Sequence, residues 1–113
     1  MNNSCNLLDK KCKPCEGGMP PLKPEEFAEM LSDLSGWTVV ENKQIEKEYK
    51  FKNFKQAIIF INKLADIAES EGHHPDIFLH GFRNVKIMLS THAIGGLSEN
   101  DFILAAKTDT IKL

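Results

Sequence analysis

Three histidines form the most reactive pattern in this sequence. His73 and His74 stand side by side before Pro75, and His92 follows an alternating apolar segment. Imidazole ordinarily titrates near pH 6.5, so it can both donate and accept a proton near neutral pH. Pro75 favours an extended conformation for the preceding residue, which points the two adjacent rings in different directions. The pattern predicts a proton-transfer site.

Other interpretations of these histidines and of the cysteines stay open at this point. The paired histidines are also typical of a polar turn, with His92 simply ending a strand. A zinc site is less favoured, because neighbouring histidines seldom bind one ion and no cysteine lies nearby in the sequence. Cys12 and Cys15 form a single C-x-x-C pair with Cys5 as the only other thiol, which is too few ligands for a closed zinc site. We therefore expect no metal and interpret the cysteines as incidental.

A carboxylate near the C-terminus has both a structural and a functional interpretation. Ser98 and Asp101 have the spacing of a helix capping box, and Leu97 and Phe102 have that of a hydrophobic staple. Asp101 is therefore predicted first to hold the start of the last helix. A supporting role in the histidine site is the second interpretation.

The helices and strands that must position these groups follow from apolar periodicity and from glycine and proline positions. In chain order we predict a helix from Pro24 to about Leu34, strands Trp37–Val40 and Ile45–Phe51, a helix from about Asn53 to Glu71, strands Ile77–Phe82 and Val85–Thr91, and a helix that opens at Ser98. Hairpins separated by helices favour an α+β fold: a four-stranded antiparallel sheet with three helices on one face, in the order α-β-β-α-β-β-α. Antiparallel pairing of the second hairpin would bring residues 74–76 beside residues 91–92, so that the three imidazoles ring one pocket.

The long central helix carries more apolar residues than one buried stripe needs. Its predicted core stripe comprises Phe54, Ala57, Ile58, Ile61, Leu64, Ala65 and Ala68. Ile59, Phe60 and Ile67 lie off that stripe, and an apolar second face would be exposed in a monomer. We therefore predict that this helix contributes to an oligomer interface.

Length and composition limit the remaining possibilities. The chain of 113 residues has room for one domain, which we place at residues 24–113 after a flexible N-terminal arm of residues 1–23. The net charge of −2 provides no positive field for nucleic acid. No apolar run approaches the roughly 20 residues that cross a bilayer, and Met1–Asp9 lacks the apolar segment of a secretory signal. We expect a cytoplasmic protein that binds neither nucleic acid nor membrane.

Several of these motifs together resemble one enzyme family. The motifs are Glu69-Ser-Glu-Gly-His73-His74-Pro75, an aromatic residue at Phe82, Leu89-Ser-Thr-His92 and Gly96-Leu-Ser-Glu-Asn-Asp101, with Gly36-Trp37 ahead of the first strand. In this combination and spacing, residues 24–113 closely resemble the pterin-4a-carbinolamine dehydratases. The N-terminal arm is similar to an extension found in some bacterial members.

The resemblance implies a small α+β lyase that converts 4a-hydroxytetrahydropterin to quinonoid dihydropterin and water, with no metal or organic cofactor. The site residues that it implies are the catalytic His73, His74 and His92, the pterin-binding Gly72, Ser90 and Thr91, and Asp101 as support. It also implies a role in recycling the pterin of aromatic amino acid hydroxylases such as phenylalanine hydroxylase. We expect a homodimer or a homotetramer.

The chemistry of the implied reaction suits the histidines. Loss of water requires a proton given to the hydroxyl at C4a and a proton taken from N5. Our hypothesis is that His73 and His92 exchange the acid and base roles, while His74 mainly orients the pterin ring.

Some positions depart from the family pattern. Gly72 stands where well-known members have an acidic residue, Ile77 replaces a common aromatic residue, and Ala93 and Ile94 follow His92. These departures leave open which side chain the pterin substrate carries. Animal members also act as dimerisation cofactors of a homeodomain transcription factor, so a protein-interaction module with vestigial activity is the second hypothesis. Action on another pterin, for example in molybdopterin metabolism, is the third.

Overall fold

The computed structural model describes residues 4–13 and 20–113 and has the α+β architecture expected from the sequence. Its elements are helix α1 (Ser4–Asp9), helix α2 (Pro24–Ser32), strands β1 (Thr38–Val40) and β2 (Gln44–Lys50), helix α3 (Phe54–Glu71), strands β3 (Asp76–His80) and β4 (Asn84–Leu89), a short 3-10 helix (His92–Ile94) and helix α4 (Glu99–Thr108). No helix in these described ranges is long and apolar enough to cross a membrane.

The strands form one antiparallel sheet in the order β1-β2-β4-β3. Alternation along β4 directs Val85, Ile87 and Leu89 to the buried face of the sheet, where all three are fully buried. On the other face Lys86 forms an ion pair with Glu46 of β2. The predicted four-stranded antiparallel sheet is confirmed, including the antiparallel pairing of β3 with β4.

Helix α4 lies at the centre of the protein and contacts the other three helices. Phe102, Ile103 and Leu104 are at most 1% exposed. The helix begins as the capping-box spacing predicts, because Ser98 is its N-cap and the Ser98 N–H donates to Oδ2 of Asp101 at 3.0 Å. The start of α4 is therefore tied to the position of one buried carboxylate.

The rotation of α3 about its axis differs from the prediction. The fully buried residues of this helix are Ala57, Phe60, Leu64 and Ala68. Phe60, which we expected on a second face, packs against Tyr49 and Phe51 with ring centroids 4.7 and 4.8 Å apart, whereas Phe54 is 52% exposed. Apolar residues are so frequent in this helix that periodicity fits several rotations, and the aromatic contacts with β2 and the residue after it decide among them. The prediction that Phe60 lies on an exposed second face is wrong. Phe54 and Ile59 are exposed on this helix, and the oligomer interface stays a prediction.

The described part of the N-terminal arm is folded against the domain. We expected no regular structure before Pro24, and this is wrong for residues 4–9, which form α1. A six-residue helix is unstable in isolation, but Leu7 is buried in the core and α1 packs on α4. The domain boundary stays a prediction, and α2 begins at Pro24. Cys12 is a free, half-buried thiol, while the side chain of Cys5 and all of Cys15 lie outside the described part of the chain.

Candidate active site

The two adjacent histidines are placed by the C-terminal end of α3. Gly72 follows the helix with a φ of 67°, a left-handed conformation that glycine adopts without strain. The Gly72 N–H donates to the Ala68 carbonyl and closes the last turn. His73 and His74 therefore form the connection from α3 to β3.

A cavity of about 280 Å³ lies between this connection and the segment that follows β4. Its lining residues are Lys13, Gly72, His73, His74, Ser90, Thr91, His92, Ala93 and Asn100. Every residue predicted to be catalytic or pterin-binding thus lines one cavity, and the predicted convergence of the three imidazoles is present. The volume is close to the lower limit for small-molecule pockets.

A larger groove of about 500 Å³ lies between α1, α3 and α4, but its lining contains no histidine. Its oppositely charged members Glu71 and Lys107 are paired with each other at 2.6 Å. Its other lining residues are mainly apolar or exposed. Acid and base groups that could move a proton are concentrated in the smaller cavity, which we therefore treat as the candidate active site.

His73 is held by a carboxylate that is completely buried. Its Nε2 lies 2.6 Å from Oδ1 of Asp101, and the side chains of His73 and Asp101 are 11% and 0% exposed. A carboxylate acceptor at Nε2 favours the tautomer that carries its proton there. The other ring nitrogen, Nδ1, is then the one that can accept a proton from a bound molecule.

The second oxygen of Asp101 belongs to a small buried network. Oδ2 accepts the Ser98 N–H at 3.0 Å and the Thr91 hydroxyl at 2.9 Å. Because Thr91 donates its only hydroxyl proton to Asp101, the Ser98 hydroxyl must donate to Thr91, 2.7 Å away. Asp101 therefore caps α4 with one oxygen and orients His73 with the other, so its structural and supporting roles occur together.

The other histidines have different surroundings. His74 is 62% exposed and pairs at 2.5 Å with Glu69, which is also exposed. His92 is exposed at the start of the short 3-10 helix, and within the described ranges its ring has no hydrogen-bond partner. His80 does not line the cavity and instead contacts Glu48 of β2 at 2.9 Å. His73 and His92 are thus the two cavity histidines whose rings are not engaged in surface pairs.

Comparison with known proteins now assigns the family. The profile described as pterin 4 alpha carbinolamine dehydratase matches residues 20–111. The chain belongs to the pterin-4a-carbinolamine dehydratase family. Relatives provisionally named pterin-4-alpha-carbinolamine dehydratase include one from Nitrosomonas eutropha, 48% identical with 98% of this chain and 97% of the relative covered. One from Alkaliphilus metalliredigens is 50% identical, with 92% and 94% covered.

Two solved structures extend the comparison to the fold. A Brucella melitensis protein described as a transcriptional coactivator/pterin dehydratase superposes with a TM-score of 0.73 at 34% identity, covering 79% of this chain and 95% of that chain. A pterin dehydratase-like protein identified as a RuBisCO assembly factor in the alpha-carboxysome gives 0.55 at 26% identity, covering 66% and 86%. The dehydratase fold therefore occurs in proteins with more than one described role.

In this dehydratase family member a second buried charge lies just before the site. Glu71 accepts the Lys107 ammonium at 2.6 Å and the Cys12 N–H at 2.8 Å. Burial opposes its ionisation, but these two hydrogen bonds and the positive charges of Lys107 and Lys11 together lower the pKa of the Glu71 carboxyl below its ordinary value of 4.5. Burial, followed by the charge of Glu71, raises the pKa of the Cys12 thiol to about 12, so this thiol is unreactive at neutral pH.

Three residues of the cavity lining, Lys13, Ala93 and Asn100, were not predicted as site residues from the sequence. Lys13 comes from the N-terminal arm, and its contact with Asn100 joins residues 87 positions apart. No local pattern signals such a contact. The position of Asn100 next to the predicted support Asp101 is the only sequence signal that pointed towards it.

Proposed function

We propose that this protein is a hydro-lyase that removes water from 4a-hydroxytetrahydropterin to give quinonoid dihydropterin. The observation that carries the proposal is the meeting of His73, His74 and His92 in one small cavity of a pterin-4a-carbinolamine dehydratase family member. Three imidazoles in one cavity suit a reaction that consists of proton transfers.

The proposed reaction needs one proton delivered and one removed. The C4a–O bond breaks with both electrons going to oxygen, and a proton from the acid converts the departing hydroxyl to water. The base takes the proton from N5, and the N5 electron pair forms the double bond to C4a. Atoms balance, because the hydroxyl and one proton leave as water, and the pterin changes only by that loss.

The structure supports different roles for the histidines. His73 has its Nε2 occupied by Asp101, so Nδ1 is available to take the proton from N5. The His92 ring forms no hydrogen bond within the described residues, so it is free to contact the substrate. This suits the role of the acid, which gives its proton to the leaving hydroxyl. The two residues exchange their protonation states during turnover. His74 is exposed and paired with Glu69, which suits a group that orients the pterin.

Residues between the histidines complete the proposed pterin site. Gly72 and Ser90 line the cavity, and an added Cβ at Gly72 would meet no atom within 4 Å, so the glycine leaves room at this wall. Thr91 is 5% exposed and donates its hydroxyl to Asp101. We assign Gly72 and Ser90 to pterin contact and Thr91 mainly to the support of Asp101.

The proposal extends to the setting of the enzyme. It acts in the cytoplasm as a homodimer or homotetramer, and it recycles the pterin used by an aromatic amino acid hydroxylase such as phenylalanine hydroxylase. Apolar side chains exposed on α3, among them Phe54 and Ile59, supply a surface for self-association.

A protein-interaction role is the second candidate. Large apolar side chains are exposed on and just after the edge strand β3, where Phe78 and Phe82 are 53% and 60% exposed. Such a surface suits a protein partner, and the structural neighbours described as a coactivator and an assembly factor have similar folds. Such a module has no need for three histidines that meet in one cavity, which places this candidate second.

The deciding experiment measures how much the protein accelerates decay of 4a-hydroxypterin generated in situ by a hydroxylase. Positioned acids and bases contribute about 10²- to 10⁴-fold, so we expect losses of that order in His73→Ala and His92→Ala. His80→Ala is the matched control, because His80 lies outside the cavity, and it should keep wild-type activity. Full activity in both cavity variants would exclude the proposed roles; no acceleration by the wild-type protein would favour the interaction module.

A further inference from the structure

The N-terminal segment Leu7–Lys13 is fastened beside the candidate site at several points. Leu7 is 3% exposed in the core, and Lys10 forms an ion pair with Glu99 at 2.6 Å. The Cys12 N–H donates to Glu71, which immediately precedes Gly72. The segment therefore contacts both stretches of chain that supply the His73 and Asp101 pair.

The last residue of this segment is held by a buried amide. The Lys13 N–H donates to Oδ1 of Asn100 at 2.9 Å, and Nδ2 of Asn100 donates to the Lys13 carbonyl at 2.5 Å. Asn100 is only 6% exposed and adjoins Asp101. Two opposed hydrogen bonds to a buried side chain define the position of the Lys13 backbone, so the Lys13 side chain starts from a fixed point at the cavity wall.

The described cavity lining includes a lysine in a chain whose net charge is −2. Among the described residues, the lining contains Lys13 and three histidines but no aspartate or glutamate. Asp101 lies behind His73 and is occupied by three donors. Within the described ranges, the Lys13 ammonium has no hydrogen-bond or ion-pair partner. Two of the lining histidines already pair with carboxylates, His73 with Asp101 and His74 with Glu69. Lys13 and His92 are therefore the described lining residues with which a bound anion could pair.

The geometry of a pterin keeps its side chain inside the cavity that Lys13 lines. The proposed reaction occurs at C4a and N5, which must lie between His73 and His92, and C6 is bonded directly to N5. A substituent on C6 therefore leaves the ring beside the reacting edge, inside a cavity of only about 280 Å³ that Lys13 also lines.

We propose that Lys13 is a specificity residue that makes this site favour pterins carrying a carboxylate or a phosphate on the C6 substituent. This inference rests on the proposed pterin site and goes beyond it by naming the substrate class. Lys13 acts on the side chain and takes no part in the proton transfers.

Binding of three stable pterins tests the inference without requiring turnover. They are 6-hydroxymethylpterin, 6-carboxypterin and the phosphate ester of 6-hydroxymethylpterin, which differ in the charge of the C6 substituent. Calorimetric dissociation constants are measured for the wild type, Lys13→Ala, Lys13→Glu and the charge-matched control Lys55→Glu. Lys55 is exposed on α3 and does not line the cavity.

We expect the wild type to bind both anionic pterins more tightly than the neutral one. Partly exposed ion pairs are worth about two- to fivefold in affinity, so Lys13→Ala should reduce the preference by about that factor and Lys13→Glu by more. Lys55→Glu should leave the preference unchanged. The preference should also shrink in 1 M salt, where the Debye length is about 3 Å. Lys13→Ala should weaken the binding of 6-carboxypterin and of the phosphate ester to different extents. The pterin whose binding weakens more carries the anionic group that the site favours.

Other outcomes would overturn the inference. An identical preference in the wild type and Lys13→Glu, with all pterins still bound, would refute the role of Lys13 and leave the dehydratase proposal intact. Failure of the wild type to bind any of the three pterins would overturn the inference together with the proposed pterin site.

Discussion

Replacement of Asp101 by asparagine tests how the buried network controls His73. The Ser98 N–H can only donate, so it requires an acceptor at the Oδ2 position. Asparagine has one acceptor oxygen, and placing it there directs its NH₂ group at Nε2 of His73. His73 must then accept at Nε2 and carry its own proton on Nδ1. The substitution therefore preserves the helix cap and reverses the tautomer that the proposed reaction needs.

The size of the effect follows from these contacts. A base in the wrong tautomer loses most of its contribution, which is about 10²- to 10⁴-fold for a positioned group, so kcat/KM should fall by at least about 10²-fold. A neutral hydrogen bond replaces a charge-assisted one at a fully buried site, which should cost about 1 kcal/mol of folding free energy. For a domain of this size that corresponds to a Tm lower by about 4–8 °C. Asp101→Asn should therefore remain folded at 25 °C and be nearly inactive.

The chain contains a matched control for this experiment. His74 and Glu69 form a second imidazole–carboxylate pair of nearly the same length, 2.5 Å against 2.6 Å, but both side chains are exposed. Exposed pairs contribute at most about 1 kcal/mol, so Glu69→Gln should change kcat/KM by less than about fivefold. The assay is decay of 4a-hydroxypterin in a stopped-flow spectrometer, with folding checked by circular dichroism. Activity of Asp101→Asn within threefold of wild type would refute the tautomer reasoning.

Two further predictions concern stability, both measured by urea unfolding. Phe60→Ala should lower the free energy of unfolding by about 3–5 kcal/mol, because the Phe60 ring is buried. Phe54→Ala in the same helix should lower it by less than about 1 kcal/mol, because the Phe54 ring is half exposed. Equal losses in the two variants would contradict the rotation of α3. Glu71→Gln should cost about 1–3 kcal/mol near neutral pH, because it removes a buried charge paired with Lys107. The pKa of Glu71 is lowered by folding, so its stabilisation is fully present above about pH 4.5 and is lost as pH falls through the folded-state pKa. A wild-type advantage over Glu71→Gln that does not shrink between pH 5 and acid unfolding would contradict that assignment.

The features predicted correctly are those set by residues close together in the chain. Gly72 and Pro75 mark the end of α3 and the extended entry into β3, and the Ser98 and Asp101 spacing marks the start of α4. Alternation along β4 identifies its buried face. Antiparallel pairing of two adjacent strands then suffices to bring the paired histidines beside His92. Local signals and one topological rule were therefore enough for the histidine cavity.

The features missed depend on contacts between distant residues. Helix α1 is too short to form alone and exists because Leu7 finds a place in the core. The buried face of α3 was misassigned at Phe60 because many rotations satisfy an apolar-rich helix until aromatic partners choose one. Lys13 reaches the cavity through an amide 87 residues away, a contact that no local pattern encodes.

The sequence by itself determined the order of the main helices and strands from Pro24 onward, the family and the identity of the cavity histidines, because periodicity, capping and motif spacing act over a few residues. Only the tertiary structure decided how those groups differ from one another. It buries Asp101 against His73, leaves His74 in water beside Glu69, and brings Lys13 to the cavity wall. The burial of each side chain and the group that it contacts are fixed only when distant segments pack together. These two features set the strength of each ion pair and hydrogen bond in the site.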